Sequence, residues 1–303
     1  MGFFSMTETP SQPAIGMVGI GLMGHGIARN LLRCGYQLTV LEHSGNQPLD
    51  ELLATGASTS TSGVQLAANV DVLILCVTGS PQVEAVLLGQ EGILEGLRPG
   101  TVVIDCSTAI PTCTERMAQA VAAAGGRFLD APMTRTPKEA AEGRLNLLIG
   151  GDATLLDECR PILASFAEHI THVGPVGAGH RMKLLHNYVS LGFVALLAEA
   201  ATSSARAAID PQILVQVLTQ GGGGSVALER LKPWLLEQDP SGLRFFMSNA
   251  LKDLDYYRSM AMDSGSAHAI ADGVQATYAW AAQEGGAQAL VPQLVELLTE
   301  KFN

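Results

Sequence analysis

The sequence predicts an α/β protein in two parts, a doubly wound sheet followed by an all-α domain, and three observations carry that prediction. From Ile15 to Gly174, strand-like apolar runs alternate with helical stretches, the order that builds a parallel sheet covered by helices on both faces. Beyond GPVGAG (174–179), the stretch HRMKLLHNYVSLGFVALLAEAATSSARAA has no proline and only Gly192 as a weak helix former. The chain's 303 residues also exceed what one core organises, since domains run to roughly 100–200 residues each.

Taken in order, residues 1–12 read as a polar, flexible tail. AIGMVGIGLMGHGIARNLLRCGYQLTVLEHS then reads as strand, Gly-rich turn, amphipathic helix and strand. Further strands are expected at 71–77 (DVLILCV), 101–107 (TVVIDCS), 127–132 (RFLDAP), 146–151 (NLLIGG) and 168–174 (EHITHVG), with helices such as PTCTERMAQAVAAAG between them. This alternation implies a parallel, doubly wound sheet. After the long helix, DPQILVQVLTQ, ALERLKPWLLEQ, FFMSNALKDLDYYRSMAMDSG and VPQLVELLTEKF read as helices punctuated by Gly, Pro and Asp. The expected domains are 13–176 and 177–303. A long, largely apolar helix is hard to bury in one small domain, so a second copy of the chain is the expected partner, in a homodimer or homotetramer.

Composition narrows the function classes. The formal charge of −11 repels polyanions, and no basic stripe offsets it, which argues against nucleic acid. The apolar runs are broken short of the ~18–20 residues that span a bilayer, and MGFFSM lacks the basic flank of a signal peptide. A soluble, cytoplasmic protein without a membrane partner is expected. The cysteines form no C-x-x-C pair, and Cys34, Cys76 and Cys106 lie in apolar surroundings, so buried thiols are expected and no metal site.

Gly19-Ile20-Gly21-Leu22-Met23-Gly24 follows the first strand and opens the first helix, the context in which G-x-G-x-x-G has physical meaning. Glycines permit a tight turn and close backbone approach, and the helix N-terminus offers unpaired N–H groups to a pyrophosphate. Ala28 keeps that helix near the sheet. Glu42, at the end of the second strand, is placed to accept hydrogen bonds from the ribose hydroxyls of an adenosine and to repel a 2′-phosphate. A Rossmann domain binding NAD, in preference to NADP, is the expectation, with His43 and Ser44 leaving the second open. An S-adenosylmethionine enzyme can carry a similar turn, so the motif names a nucleotide and no reaction.

Lys183 and Asn187 stand four apart near the start of the long helix and share one face. For carbonyl reduction an ammonium gives a proton to the developing alkoxide and stabilises its charge, and an amide holds the same oxygen in line.

Together with GIGLMG, the segments DCST (105–108), DAP (130–132), GPVGAGHRMKLLHN (174–187) and Lys252-Asp253-Leu254 resemble the β-hydroxyacid dehydrogenases, which include 3-hydroxyisobutyrate dehydrogenase and tartronate semialdehyde reductase. The resemblance runs in order from Ile15 to about Ala261. It implies that Lys183 is the general acid and base and Asn187 its oxyanion partner. It also implies that Thr108 lies by the nicotinamide, that Val77 and Thr78 line the cofactor where the family has Leu-Pro, and that Lys252 reaches toward cofactor and substrate.

Where most of the family has Ser-Gly-Gly after D-A-P-V, this chain has Met133 and then Thr134-Arg135-Thr136. Arg and Thr cannot cheaply follow dihedrals that glycines allow, so the loop is expected to take another shape or to present its side chains. Arg135, with Thr134 and Thr136, is then expected to hold the anionic end of a small substrate through its planar fork of donors. The sulfolactaldehyde reductases of the family look most similar here: this chain matches them at Arg135-Thr136 and at Arg181, Lys183, Leu184, Asn187 and Tyr188. It departs from them at Thr134 and at His186, which adds His186 to the expected substrate contacts. Carboxylate and sulfonate headgroups both fit. An imine reductase or a phosphogluconate-type dehydrogenase on the same scaffold is the alternative enzyme, and a non-catalytic dinucleotide sensor the alternative of another class. In the loop QGGGGSVALER (220–230), Ser225 reads either as a substrate contact or as part of a linker.

Overall fold

The computed structural model describes residues 12–286 and 288–301. Of the expected tail, all but Gln12 lies outside these residues. The chain divides into two compact units, one ending at Lys183 and the other beginning at Leu184.

The first unit begins with β1 (Ile15–Val18), α1 (Leu22–Arg33) and β2 (Leu38–Leu41), followed by α2 (Asp50–Ala54), β3 (Ser58–Ser60), α3 (Gly63–Ala68) and β4 (Val72–Leu75). Next come α4 (Ser80–Leu88), α5 (Ile93–Gly96), β5 (Val102–Asp105), α6 (Pro111–Ala123) and β6 (Arg127–Asp130). β7 (Met133–Thr134), α7 (Pro137–Glu142), β8 (Leu145–Gly150), α8 (Ala153–Leu163) and β9 (Ala167–Gly174) complete the sheet. Its order is β3-β2-β1-β4-β5-β6-β8-β7, with β9 on β8. The strand order reverses beside β1, the place in such sheets where ligands bind, at the strands' C-terminal ends.

β1, β4 and β5 are buried at every position, which is why they read as continuous apolar runs and not as alternating ones. Ile15, Met17, Ile74, Ile104 and Leu129 pack on one face, and Val18, Leu73, Leu75 and Val103 pack on the other with Val83 and Met117.

The sheet is parallel in the main, as expected, and its antiparallel pairings are those of β8 with β6 (Asp130↔Gly150) and with β7 (Met133↔Leu147). The link from Thr134 to Leu145 holds only the short α7, less than the dozen or so residues that a parallel crossover needs. α8 then supplies a crossover of sufficient length, and β9 returns to a parallel pairing with β8. β3 and β7 are too short to stand out in the sequence.

α9 (Ala178–Arg206) spans the division between the units. The division falls at 183, later than the boundary expected at 176, because the first turn of α9 is tied to β6: the Asp130 carboxylate accepts from the backbone N–H of Gly177 (2.8 Å) and of His180 (2.9 Å).

The second unit holds the rest of α9 and α10 (Pro211–Gln220), α11 (Val226–Glu237), α12 (Met247–Asp263), α13 (Ala269–Gly285) and α14 (Leu294–Lys301). Leu191, Val194, Ala198, Leu228, Met247, Leu254, Tyr278 and Leu294 form its core, and the buried Tyr278 hydroxyl donates to the Leu191 carbonyl at 3.1 Å. α13 is absent from the sequence expectations, since alanines such as Ala271 and Ala281 supply much of its buried face. By length and composition α9 is, among the described residues, long and apolar enough to cross a membrane, which the runs as read from sequence are not. Its Leu191, Val194, Leu197 and Ala198 are nevertheless buried in the protein core. Cys34, expected in an apolar setting, is exposed at the end of α1, while Cys106, Cys113 and Cys159 are buried.

Candidate active site

The turn between β1 and α1 is shaped by sterics. Gly19 has φ +93°, and a Cβ there would lie 2.3 Å from the Cys76 carbonyl oxygen; one on Gly24 would lie 2.0 Å from the oxygen of Gly19. Gly26 lets α1 approach the backbone of α7, where an added Cβ would sit 2.7 Å from Ala140 and Ala141. Gly21, the N-cap of α1, faces open space, with nothing within 4 Å of an added Cβ. No side chain caps the helix and its first turn is free of acidic residues. A cradle of this form, open beside uncapped helix N–H groups, fits a pyrophosphate. Around it Ile20 is buried, Leu22 is exposed and Met23 is half-buried.

Glu42 is exposed directly after β2, its N–H donating to the Ser60 carbonyl at 2.9 Å. Asn46, unmarked in the sequence, staples its loop to the turn: its Oδ1 accepts from the Ile20 N–H (3.1 Å) and its Nδ2 donates to the Leu41 carbonyl (3.0 Å). At the ends of β4 and β5, the Val77 N–H donates to the Ser107 hydroxyl at 3.0 Å. Thr78 is exposed and Thr108 half-buried.

Beneath this edge lies a buried polar cluster. Asp105 and Asp130 are register neighbours on β5 and β6, both fully buried, and His180 is buried beside them. Burial pushes the Asp105 carboxyl up from its ordinary range, opposed by the His180 ring and by hydrogen bonds from Ser107. Asp105 Oδ1 accepts from the Ser107 N–H at 2.9 Å, and Oδ2 has no hydrogen-bond partner.

Lys183 closes the first unit, half-buried, one helical turn beyond His180. Asn187 follows one turn later, in the second unit. Its amide is oriented from both ends: Nδ2 donates to Asp253 Oδ2 at 2.6 Å, and Oδ1 lies 3.0 Å from His186 Nδ1. Asp253 is buried, and its other oxygen lies 2.9 Å from Lys252 Nζ. Lys252 also lies over the Tyr256 ring, 5.1 Å from its centroid. His186 is thus exposed but attached to Asn187. Tyr188 stacks on Tyr257 with centroids 4.1 Å apart, and Arg181 pairs with Glu115 at 2.8 Å.

The 134–136 loop departs from expectation. Arg135 does adopt a glycine-like conformation, φ +81°, a strained region for a residue with a Cβ. Its neighbours hold it there. On one side Thr134 pairs with Asn146 in the β7–β8 ladder and its hydroxyl accepts from Asn146 Nδ2 at 3.2 Å. On the other, Thr136 starts α7, with its N–H (3.0 Å) and hydroxyl (2.5 Å) both donating to Glu139. The Arg135 guanidinium donates to the Arg144 carbonyl and pairs with Glu168, and this bond holds the Glu168 carboxyl below the usual range. Ser225 caps α11, accepting from the Leu228 N–H at 3.1 Å. The sequence reading misses the roles of Asp130, His180 and Asp253. The available signals were their places in the DAP, GAGHRMK and KDL segments.

Two family models match the chain in succession. The NAD-binding domain of 6-phosphogluconate dehydrogenase matches residues 14–174, and the NAD-binding module of NADP-dependent 3-hydroxyisobutyrate dehydrogenase matches residues 177–298. Fold and site define a nicotinamide-dinucleotide oxidoreductase. Among its relatives, an NAD-dependent L-serine dehydrogenase of Pseudomonas aeruginosa is 33% identical over 258 residues, 83% of this chain and 86% of the relative. A 3-hydroxyisobutyrate dehydrogenase of the same organism is 32% identical over 265 residues, 87% of each. In fold, the chain is similar to the 3-hydroxyisobutyrate dehydrogenase of Mycobacterium tuberculosis solved with L-serine, with TM-score 0.86 at 24% identity over 95% of this chain and 99% of that one. The chain belongs to the β-hydroxyacid dehydrogenase family and is a hydroxyacid dehydrogenase dependent on a nicotinamide dinucleotide.

Proposed function

We propose that the protein interconverts a short anionic 3-hydroxy acid and its semialdehyde using NAD(H), with Lys183 as the general acid and base. The single observation that carries this is the placement of Lys183 and Asn187 one turn apart on α9, with the Asn187 amide held in one orientation by Asp253. Two named relatives support the substrate class: L-serine and 3-hydroxyisobutyrate both carry a carboxylate and a hydroxyl on the neighbouring carbon but one.

The dinucleotide supplies or accepts the hydride. The chain's residues manage the oxygen that changes between hydroxyl and carbonyl. In reduction Lys183 delivers a proton to it as negative charge develops, and in oxidation the neutral amine removes that proton. Asn187 has one amide N–H committed to Asp253 and offers the other to the same oxygen. Lys252, paired with Asp253, and His186, beside Asn187, are the further proposed substrate contacts of the second unit.

The anionic tail is read by the 134–136 loop. Arg135 reaches a carboxylate or sulfonate by exchanging Glu168 for it, an inexpensive exchange because surface pairs of this kind contribute little. Thr134 retains a hydroxyl hydrogen to donate. The exposed Glu42 after β2 favours NAD over NADP by like-charge repulsion of a 2′-phosphate. A second copy of the chain is proposed to cover the stripe Leu185, Val189, Phe193 and Leu196, exposed at helical spacing on α9. The cytoplasm is the proposed compartment.

Lys183→Ala tests the reading. NADH-dependent turnover of short anionic semialdehydes should fall by roughly 10²–10⁴-fold, the range for a lost general acid, with NADH affinity by calorimetry unchanged. Retained turnover would contradict it.

A further inference from the structure

We infer that His180 is a positioning residue: its buried imidazole locks the first turn of α9 to the loop that carries Thr108, and so sets where Lys183 meets the reacting end of the dinucleotide. The inference rests on the reading of Lys183 as the proton donor.

The ring is fully buried and both of its nitrogens are partnered. Nε2 lies 3.0 Å from the Ser107 carbonyl oxygen; a carbonyl only accepts, so Nε2 carries a hydrogen. Nδ1 lies 2.8 Å from the hydroxyl of Thr114 on α6. Such a histidine would be unremarkable core material if its partners were structural alone. Ser107, however, immediately precedes Thr108, and its hydroxyl accepts from the Val77 N–H at 3.0 Å. One ring therefore bears directly on one of the two segments expected to line the cofactor, and through a single side chain on the other.

The backbone around His180 is held as closely. Asp130 accepts from the N–H groups of Gly177 and His180, and a Cβ on Gly179 would lie 2.4 Å from the Leu148 carbonyl oxygen. These contacts fix the axis of α9 at its start. Two side chains of this turn then restrain rotation about that axis, Arg181 through its exposed pair with Glu115 and His180 through its buried ring; an exposed pair contributes little, so the ring is the stronger restraint. Lys183 lies three residues on, on the same flank of the helix. A small rotation at His180 is carried to the end of the lysine side chain, and a misplacement of about 1 Å in a reacting group lowers rate by up to roughly 100-fold.

The test uses His180→Phe, which keeps a ring and loses both hydrogen bonds, and His180→Gln, which can donate to Ser107 and accept from Thr114. Thr114→Val and Lys183→Ala complete the set, and kcat, KM, NADH affinity by calorimetry and melting temperature are measured for each. His180→Phe should lower kcat by about 10- to 100-fold while NADH affinity stays within about threefold of wild type. His180→Gln should recover most of that loss, and Thr114→Val should fall between. Wild-type kcat in His180→Phe, equal losses in the Phe and Gln variants, or a loss of NADH affinity parallel to the loss of kcat would each overturn the inference. If His180→Phe does not fold, Thr114→Val decides: a lowered kcat supports it and an unchanged kcat overturns it. Unchanged turnover in Lys183→Ala would instead overturn the reading on which it rests, whatever the His180 variants do.

Discussion

Among the turns of the sheet that carry positive φ, those at Gly19 (+93°) and Arg135 (+81°) do so for opposite reasons. At Gly19 the space itself forbids a side chain, since a Cβ would lie 2.3 Å from the Cys76 carbonyl. At Arg135 a side chain is present, bonded to the Arg144 carbonyl and to Glu168. The conformation persists because β7 pairing fixes one flank and the Thr136–Glu139 cap fixes the other. Strain that neighbours over-determine is a common property of ligand-reading loops. The first turn is shaped by what must stay out, and the second by what it holds.

Substitution at each turn should separate the two cases. Gly19→Ala should have the largest effect, weakening NADH binding by more than about 100-fold and destabilising the fold by roughly 3 kcal/mol, since backbone clash adds to a forbidden φ. Calorimetry and urea unfolding read both, and a near-wild-type variant would remove the steric explanation. Arg135→Ala should raise KM for an anionic substrate by about tenfold, the loss of a charge-assisted contact, with a smaller change in kcat. Arg135→Gly removes the same side chain and also relieves the dihedral, so it should be more stable than Arg135→Ala by about 1 kcal/mol. Equal stabilities would show that no strain resides there.

Asp105 lies between the two turns at the same edge of the sheet and should respond to pH. Burial raises its carboxyl above the ordinary value of 3.8 in the folded state. Its stabilising contribution is therefore present in acid and lost as pH rises through that raised value. Asp105→Asn should thus gain in melting temperature relative to wild type as pH climbs from acid toward neutral; a difference independent of pH would contradict this. The smallest effect is expected for Glu168→Gln, which releases Arg135 and should lower substrate KM by about twofold, a surface pair being weak.

What the sequence made legible follows the same division. GIGLMG could be read because Gly19 and Gly24 leave no room for a side chain, and α9 because its helical pattern runs unbroken into the Lys183–Asn187 spacing. The antiparallel return of β8 was not legible, since it depends on the length of a link whose helix is too short to announce itself. Nor was the φ of Arg135, because propensity argues against it and only tertiary neighbours enforce it. α13 was missed because alanines supply much of its buried face. His180 and Asp253 sit in recognisable segments, but their roles arise from partners distant in sequence: Ser107 and Thr114 for the one, Asn187 for the other.

The most direct measurement is initial-rate oxidation of NADH, with NADPH as control, by wild type and Arg135→Ala. The panel comprises sulfolactaldehyde, tartronate semialdehyde, methylmalonate semialdehyde and succinate semialdehyde. A preference for NADH and for one anion, with that preference lost in Arg135→Ala, is the expected result. Turnover that is indifferent to Arg135 would contradict the headgroup role of the 134–136 loop and leave Arg135 as the partner of Glu168 alone.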